Sequence, residues 1–321
     1  MNSGKLFEQY AIQMLKESGI EAKKTGNLYY GHRKFIMPTL VDDGIYHFKF
    51  FLNPEDEYIE SEVEIVEYLR KNGISVPEFY EKDGKNIFHS SESIPFRATF
   101  FASKHIDADP DQEYSMSKEA SEDIIKHIGE MHLKLRDFDK SKITLDHITD
   151  YEKLVELYIF KKDLCDERGL SDMIEKIISF GTDKVDTYPI HSDLHSANIM
   201  MENDKFKAFI DFSDVRDSYF EDELGKVFQN LMGSKGYSIE EVKRLIEMYE
   251  ENIGIKLSRK NVYISTMYRL LDRYFYKLSR GVIDTDYDIK INEILESLAK
   301  EIEITEHKKE KVTESEGVEI I

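Results

Sequence analysis

The sequence predicts an α+β protein of two lobes, a small strand-rich one followed by a larger, mainly helical one. Three observations predict it. The first third carries runs of aromatic and β-branched residues between polar breaks. From residue 117 onward, apolar residues recur at helical spacing instead. Strands and helices are therefore segregated rather than alternating, and 321 residues suffice for two units.

Residues 44–52 (GIYHFKFFL) read as a strand. Tyr46, Phe48, Phe50 and Leu52 share one face; His47, Lys49 and Phe51 share the other. Residues 60–71 read as a helix with an apolar stripe of Ile65, Val66 and Leu69, and Glu62 lies on that stripe one turn earlier. Gly73 and Pro77 end it. Residues 97–106 (RATFFASKHI) read as a second strand. It runs into a polar stretch with Asp107, Asp109 and Pro110, which marks the lobe boundary. Helices follow over 117–135, 151–168 and 171–180. Residues 188–213 form a loop and a hairpin around Asn203-Asp204, and 221–302 are helical again. The expected division is 1–103 for the first lobe, 104–302 for the second and 303–321 for a Glu/Lys-rich mobile tail.

The formal net charge of −20 argues against nucleic acid or an anionic membrane as partner. It suits either solubility or a cationic substrate. One cysteine, Cys165, permits no intrachain disulfide. The first ten residues lack a basic start followed by an apolar run, so no signal peptide and a cytoplasmic location are expected.

The chemistry is concentrated in residues 191–198 (HSDLHSAN). Phosphoryl transfer needs a carboxylate to orient the attacking hydroxyl, oxygen ligands for a divalent cation, and a cation against the phosphates. His191, Asp193 and Asn198 have the H-x-D-x-x-x-x-N spacing that supplies the first two. Asp193 would accept the hydroxyl's hydrogen bond, and Asn198 would offer an amide oxygen to Mg²⁺. Asp211 follows a hairpin later as the second metal ligand. Lys49 in an apolar strand and Glu62 on an apolar helix stripe are each costly alone. Paired, they aim an ammonium at the α- and β-phosphates.

With these residues in place, the chain resembles the aminoglycoside phosphotransferase family, which includes choline-kinase-like and type II homoserine-kinase-like enzymes. The likeness rests on residues 46–52 with Lys49, 61–69 (SEVEIVEYL) followed by 74–77 (ISVP), 128–132 (IGEMH), the 191–198 loop and Asp211. The resemblance implies a bilobal protein-kinase-like fold and ATP-dependent transfer to a small-molecule hydroxyl. The acceptor would be an antibiotic of the aminoglycoside type, an amino alcohol, homoserine or a sugar. It also implies that residues near Ser103, Lys104 and His105 form the adenine-binding hinge, that His191 braces the loop, and that the helices after Asp211 build the acceptor pocket. The sequence departs from protein kinases. Residues 26–35 (GNLYYGHRKF) lack a full G-x-G-x-x-G, Ser192 replaces the Arg of H-R-D, Ser213 replaces the Gly of D-F-G, and no A-P-E follows. These departures point to the small-molecule branch.

Several alternatives stand beside this reading. His191, Asp193 and His195 form a short cluster of the kind that holds a transition metal in a hydrolase. A kinase fold that binds nucleotide without catalysis is another. Asp214, Asp217, Glu221 and Asp222 would grip ammonium groups of a cationic acceptor, or belong to a solvated helix start. Tyr263, Tyr268, Tyr274, Phe275 and Tyr276 are read as helical core, with an aromatic cage for a choline-like group as the alternative. His127 and His132 are read as packing residues.

Overall fold

The computed structural model describes residues 3–24, 26–31, 34–42, 44–108, 117–282 and 285–316. Asp109 and Pro110 of the expected lobe boundary, His32 and Arg33 of the phosphate-loop stretch, and residues 317–321 lie outside the described residues.

The first lobe is built on an antiparallel sheet. Helix α1 (Ser3–Glu17) precedes strands β1 (Ala22–Lys24), β2 (Tyr29–Gly31), β3 (Lys34–Val41) and β4 (Gly44–Leu52). Helix α2 (Asp56–Lys71), β5 (Phe88–His89) and β6 (Ala98–Lys104) complete it. The strand order is β1-β3-β4-β6-β5, with β2 added on β3. Alternation on β4 divides the lobe. Phe48 and Phe50 point into a small core with Phe7, Met14, Met37 and Phe100. Lys49 points the other way, toward the second lobe. Helix α1 was not among the sequence-based elements, although it supplies Phe7, Ala11, Met14 and Leu15 to this core. Helix α2 starts four residues before the expected point, because Asp56 and Glu57 favour the positive end of its dipole. Its Ile65, Val66 and Leu69 pack into the core of the second lobe, so α2 joins the two.

The second lobe begins with α3 (Lys118–Arg136), capped by the Ser117 side chain accepting from the Ala120 amide. Helices α4 (Asp150–Glu167) and α5 (Ser171–Phe180) follow, the first opened by a Thr149–Glu152 capping box. Strands β7 (Tyr188–Ile190), β8 (Ile199–Glu202), β9 (Lys205–Phe209) and β10 (Arg216–Ser218) form two small ribbons, β8–β9 and β7–β10. The β8–β9 turn falls at Asn203-Asp204, as the sequence reading had it, with both residues at positive φ as a type I′ turn requires. Helices α6 (Phe220–Asn230), α7 (Ile239–Ile253), α8 (Arg259–Ser279) and α9 (Thr285–Glu316) finish the lobe. Gly225 lets α6 lie directly on α8: a Cβ there would meet the backbone carbon of Ser265 at 2.9 Å.

The expected tail from residue 303 is helical as far as Glu316. Ile291, Leu295, Leu298 and Ile302 bury one face of α9, and Glu303 and Glu306 extend the anchoring by pairing with Lys176 and Lys260. Tyr263, Tyr268, Tyr274 and Phe275 lie in the core rather than around an open cage, while Tyr276 is exposed. His132 is buried, stacks on Phe220 and bonds the Tyr249 hydroxyl, and its burial pushes its pKa down to about 3. His127 stacks on Phe206.

Candidate active site

Lys49 projects from the middle of β4 with the Phe101 ring beside its ammonium. Its Nζ donates to Glu62 Oε1 at 2.8 Å and to Asp211 Oδ1 at 2.9 Å. Burial disfavours the ammonium, but the carboxylates of Glu62 and Asp211 outweigh it and raise the pKa above the usual lysine value. The Lys49–Glu62 pair read from the sequence therefore forms, and it reaches across to the second lobe.

Lys34, the first residue of β3, also reaches Asp211. Its Nζ lies 2.6 Å from Asp211 Oδ1 and 2.6 Å from Ser213 Oγ. Sequence reasoning missed this residue. It sits inside the 26–35 stretch, and the available signal was a lysine opening an apolar strand. Ser213 donates to the same Oδ1 at 2.9 Å. Burial works against the Asp211 charge, but Lys49 and Lys34 outweigh it and hold the carboxyl far below the usual range. All three donors meet Oδ1; none of these bonds uses Oδ2.

The 191–198 loop runs from β7 to β8 through a short 3₁₀ turn (Ser196–Asn198). Buried His191 stands within hydrogen-bond distance of the Ile210 carbonyl through Nε2, at 2.8 Å, and accepts the Asp193 amide on Nδ1 at 3.3 Å. Both contacts are satisfied by one tautomer, Nε2–H. Ser192 and Asp211 both hold left-handed backbone angles, φ 69° and 62°, which cost a non-glycine residue about 1–2 kcal/mol. Ser192 is held there by its amide, which donates to buried Glu223 Oε2 at 3.0 Å. The Ile210 amide donates to the Asn198 carbonyl at 3.0 Å, tying the loop to the strand that carries Asp211.

Asp193 emerges from this frame partly open to solvent. Asn198 Nδ2 donates to its carbonyl at 2.9 Å and approaches its Oδ2 at 3.3 Å. His195 Nε2 lies 3.4 Å from the same Oδ2, and Lys226 Nζ of α6 lies 2.8 Å from Oδ1. Burial opposes the charge, yet His195 and Lys226 outweigh it and depress the pKa well below the carboxylate range. Lys226 was not singled out from the sequence, because its position depends on how α6 packs.

Three sequence-based expectations need correction. The His191/Asp193/His195 metal cluster does not assemble: both His191 nitrogens are engaged, and among the described residues no three His, Cys, Asp or Glu side chains could hold a metal ion. The acids expected to face a cationic acceptor are mostly used by the fold. Glu221 is buried and accepts the Ser258 amide. Asp222 is buried and accepts from the Asp150 amide and the Ser218 hydroxyl. Asp217 is tied to Lys140, Thr187 and His147, and only Asp214 is exposed. At the expected hinge, the amides of Lys104 and His105 already donate to the Glu78 and Ile45 carbonyls, and Ser103 pairs with Phe79.

Behind Asp193 lies a buried network that the sequence did not announce. Asp150 accepts from Arg216 at 2.5 Å, from Arg269 at 2.7 Å and from Ser265 at 2.6 Å. Burial and the Asp150 charge push Asp222, next to it, up to about 7.

A lysine–glutamate pair joined to an aspartate of the second lobe, with a loop aspartate in that same lobe, is the set of groups that phosphoryl transfer of the kinase-like class uses. The chain belongs to the phosphotransferase enzyme family, whose family model matches residues 40–256. Solved structures of the same fold agree. An amicoumacin kinase in complex with AMP-PNP, Ca²⁺ and Ami superposes with a TM-score of 0.66 at 15% identity, covering 94% of this chain and 96% of that one. A microcompartment-associated aminopropanol kinase gives 0.59 at 13%, covering 91% and 95%. The GDP complex of aminoglycoside 2′-phosphotransferase-IIIa gives 0.58 at 14%, covering 94% and 99%. At such identities the likeness defines the fold alone. A TFIIB homolog of African swine fever virus (isolate Pig/Kenya/KEN-50/1950) is 27% identical over 105 residues, 31% of this chain and 33% of that protein. The chain thus spans about a third of the curated relative it matches.

Proposed function

We propose that this phosphotransferase moves the γ-phosphoryl group of ATP to a hydroxyl of a small molecule, with residues 1–103 as the nucleotide lobe and 104–302 as the catalytic lobe. The observation that carries the reading is Lys49 bonded at once to Glu62 and Asp211. A buried ammonium fixed by one carboxylate and aimed at another is suited to holding phosphate oxygens. The nucleotides named in the amicoumacin kinase and aminoglycoside phosphotransferase complexes support it.

In the proposed step the acceptor oxygen forms a bond to the γ-phosphorus and the bond to the β,γ-bridging oxygen breaks. The electron pair leaves with ADP, and the hydroxyl proton passes to Asp193. Asp193 suits the orienting of that hydroxyl because it stays ionised as a hydrogen-bond acceptor and is held by Asn198, His195 and Lys226. The Lys49 ammonium binds the non-transferred phosphates. Asn198 and Asp211 offer hard oxygen donors, an amide oxygen and the carboxylate Oδ2, which fit a cation such as Mg²⁺. Such a cation would neutralise phosphate charge. Lys34 would bind phosphate oxygens beside it.

ADP release by the full chain with Mg·ATP, measured with and without a panel of hydroxyl compounds, tests the proposal. Acceptor-dependent release supports it. Nucleotide binding with no release for any acceptor would favour a kinase fold that binds without catalysis.

A further inference from the structure

We infer that the acceptor carries an anionic group, a carboxylate or a phosphate, bound by a cationic wall beside Asp193. This rests on the phosphotransfer reading above. An open cleft of about 720 Å³ adjoins His195 and Ser196 of the loop and is walled by α6, the turn after it and α8. Its lining holds four cations, Lys226, Lys235, Arg269 and Arg273, against one acid, Asp272. That balance is the reverse of the chain's, which is −20 overall. A cationic acceptor would meet like charge there, while three of the four acids once expected to receive it, Asp217, Glu221 and Asp222, are buried or tied up elsewhere.

The wall is built, not incidental. Lys226 lies one α-helical turn before Asn230, and Arg269 one turn before Arg273, so α6 and α8 each present a polar ladder to the cleft. Arg269 is locked by Asp150 and reaches toward the Ser192 hydroxyl at 3.5 Å. Asp150 is shared with Arg216, which also lies 3.6 Å from Asp222. Arg273 reaches Asn230 at 3.5 Å, the outer limit of a hydrogen bond. Gln229 adds an independent sign: it is buried on the same wall, and its Nε2 has no hydrogen-bond partner. A buried donor left unmade is costly unless an acceptor arrives to meet it. Arginine, lysine and amide donors converging on one side are the usual means of holding carboxylate or phosphate oxygens. Lys226 joins the wall to Asp193 at 2.8 Å, so a group bound along it lies next to the residue that takes the hydroxyl proton.

Four three-carbon compounds that share a vicinal diol test this in the full chain: glycerol, 3-amino-1,2-propanediol, glycerate and glycerol 3-phosphate. They differ only in the terminal group. Binding to the Mg·ADP-loaded chain is measured by calorimetry. One of the two anionic diols binds at least tenfold more tightly than glycerol and the amino diol, and the pair separates carboxylate from phosphate. The preference weakens with salt. Arg273→Glu and Lys235→Glu, each checked for an unchanged melting curve, reduce the anionic preference at least tenfold. If Mg·ADP binds but neither anionic diol outbinds glycerol, or the amino diol binds best, the inference is overturned and the phosphotransfer reading stands. If Mg·ADP itself does not bind, both fall.

Discussion

Lys49 and Asp211 lie 162 positions apart in the chain and meet at 2.9 Å, and that bond joins the sheet of the first lobe to the catalytic loop region of the second. Both groups are charged and largely withdrawn from water, and Glu62 completes the set from a third element. Their arrangement makes separable predictions about stability and turnover.

Lys49→Met leaves Glu62 buried without its cation. Breaking a buried pair in this way costs about 3–5 kcal/mol, and thermal unfolding will show it. The double variant Lys49→Met/Glu62→Met replaces both charges with apolar groups and regains most of that stability. It does not regain turnover. Recovery of both would remove Lys49 from the nucleotide site.

Lys226→Met removes a cation that helps hold the Asp193 carboxyl down. The depressed carboxyl stays ionised until the pH falls well below its ordinary value of 3.8. Without Lys226 the pKa rises, so the acid limb of the kcat/KM profile moves to higher pH. An acid limb in the same place would show that Lys226 has no electrostatic hold on the base.

Gly225→Ala forces a Cβ within 2.5 Å of the Ser265 Cβ. The atoms in its way include backbone, so α6 and α8 must separate. Overpacking of this kind costs about 3 kcal/mol or more, visible as a lowered denaturation midpoint. It also disturbs the Ser265–Asp150 bond that anchors Arg269.

Asp222 has a folded-state pKa of about 7, raised by burial and the Asp150 charge. Its unfolded value is the ordinary 3.8, so the folded chain binds the extra proton between these limits. Stability owed to this group is therefore lost as pH rises from about 4 to about 7. Asp222→Asn keeps an acceptor oxygen and removes the titration. The melting-temperature difference between variant and parent will shift in the variant's favour from pH 5 to pH 8. A difference independent of pH would contradict this account.

The parts of the site legible in the sequence were those carried by short spacing. The 191–198 loop, the Asn203-Asp204 turn and the strand to Asp211 are local, so turn chemistry and residue order were enough to place them. Lys49 and Glu62 were legible for a different reason: each is a charge in an apolar pattern, which burial makes costly unless they meet. Lys34, Lys226 and the Asp150–Arg216–Arg269 network were not legible. Lys34 reaches Asp211 over 177 positions and Asp150 reaches Arg216 and Arg269 over 66 and 119, and nothing in a helix pattern says which charged face turns inward. The same limit misled the reading of Glu221 and Asp222. Acidic residues at a helix start suit the dipole whether solvent or protein covers them, and here Ser258 at the start of α8 and Ser265 within it cover them.

The most direct test is Asp193→Asn, with phosphoryl transfer and Mg·ATP affinity measured on one preparation once an acceptor is in hand. Turnover falls by about 10²–10⁴-fold, the usual worth of a positioned base, while Mg·ATP affinity stays within a few-fold. Near-parental turnover in this variant would contradict the assignment of Asp193, and with it the account of the site.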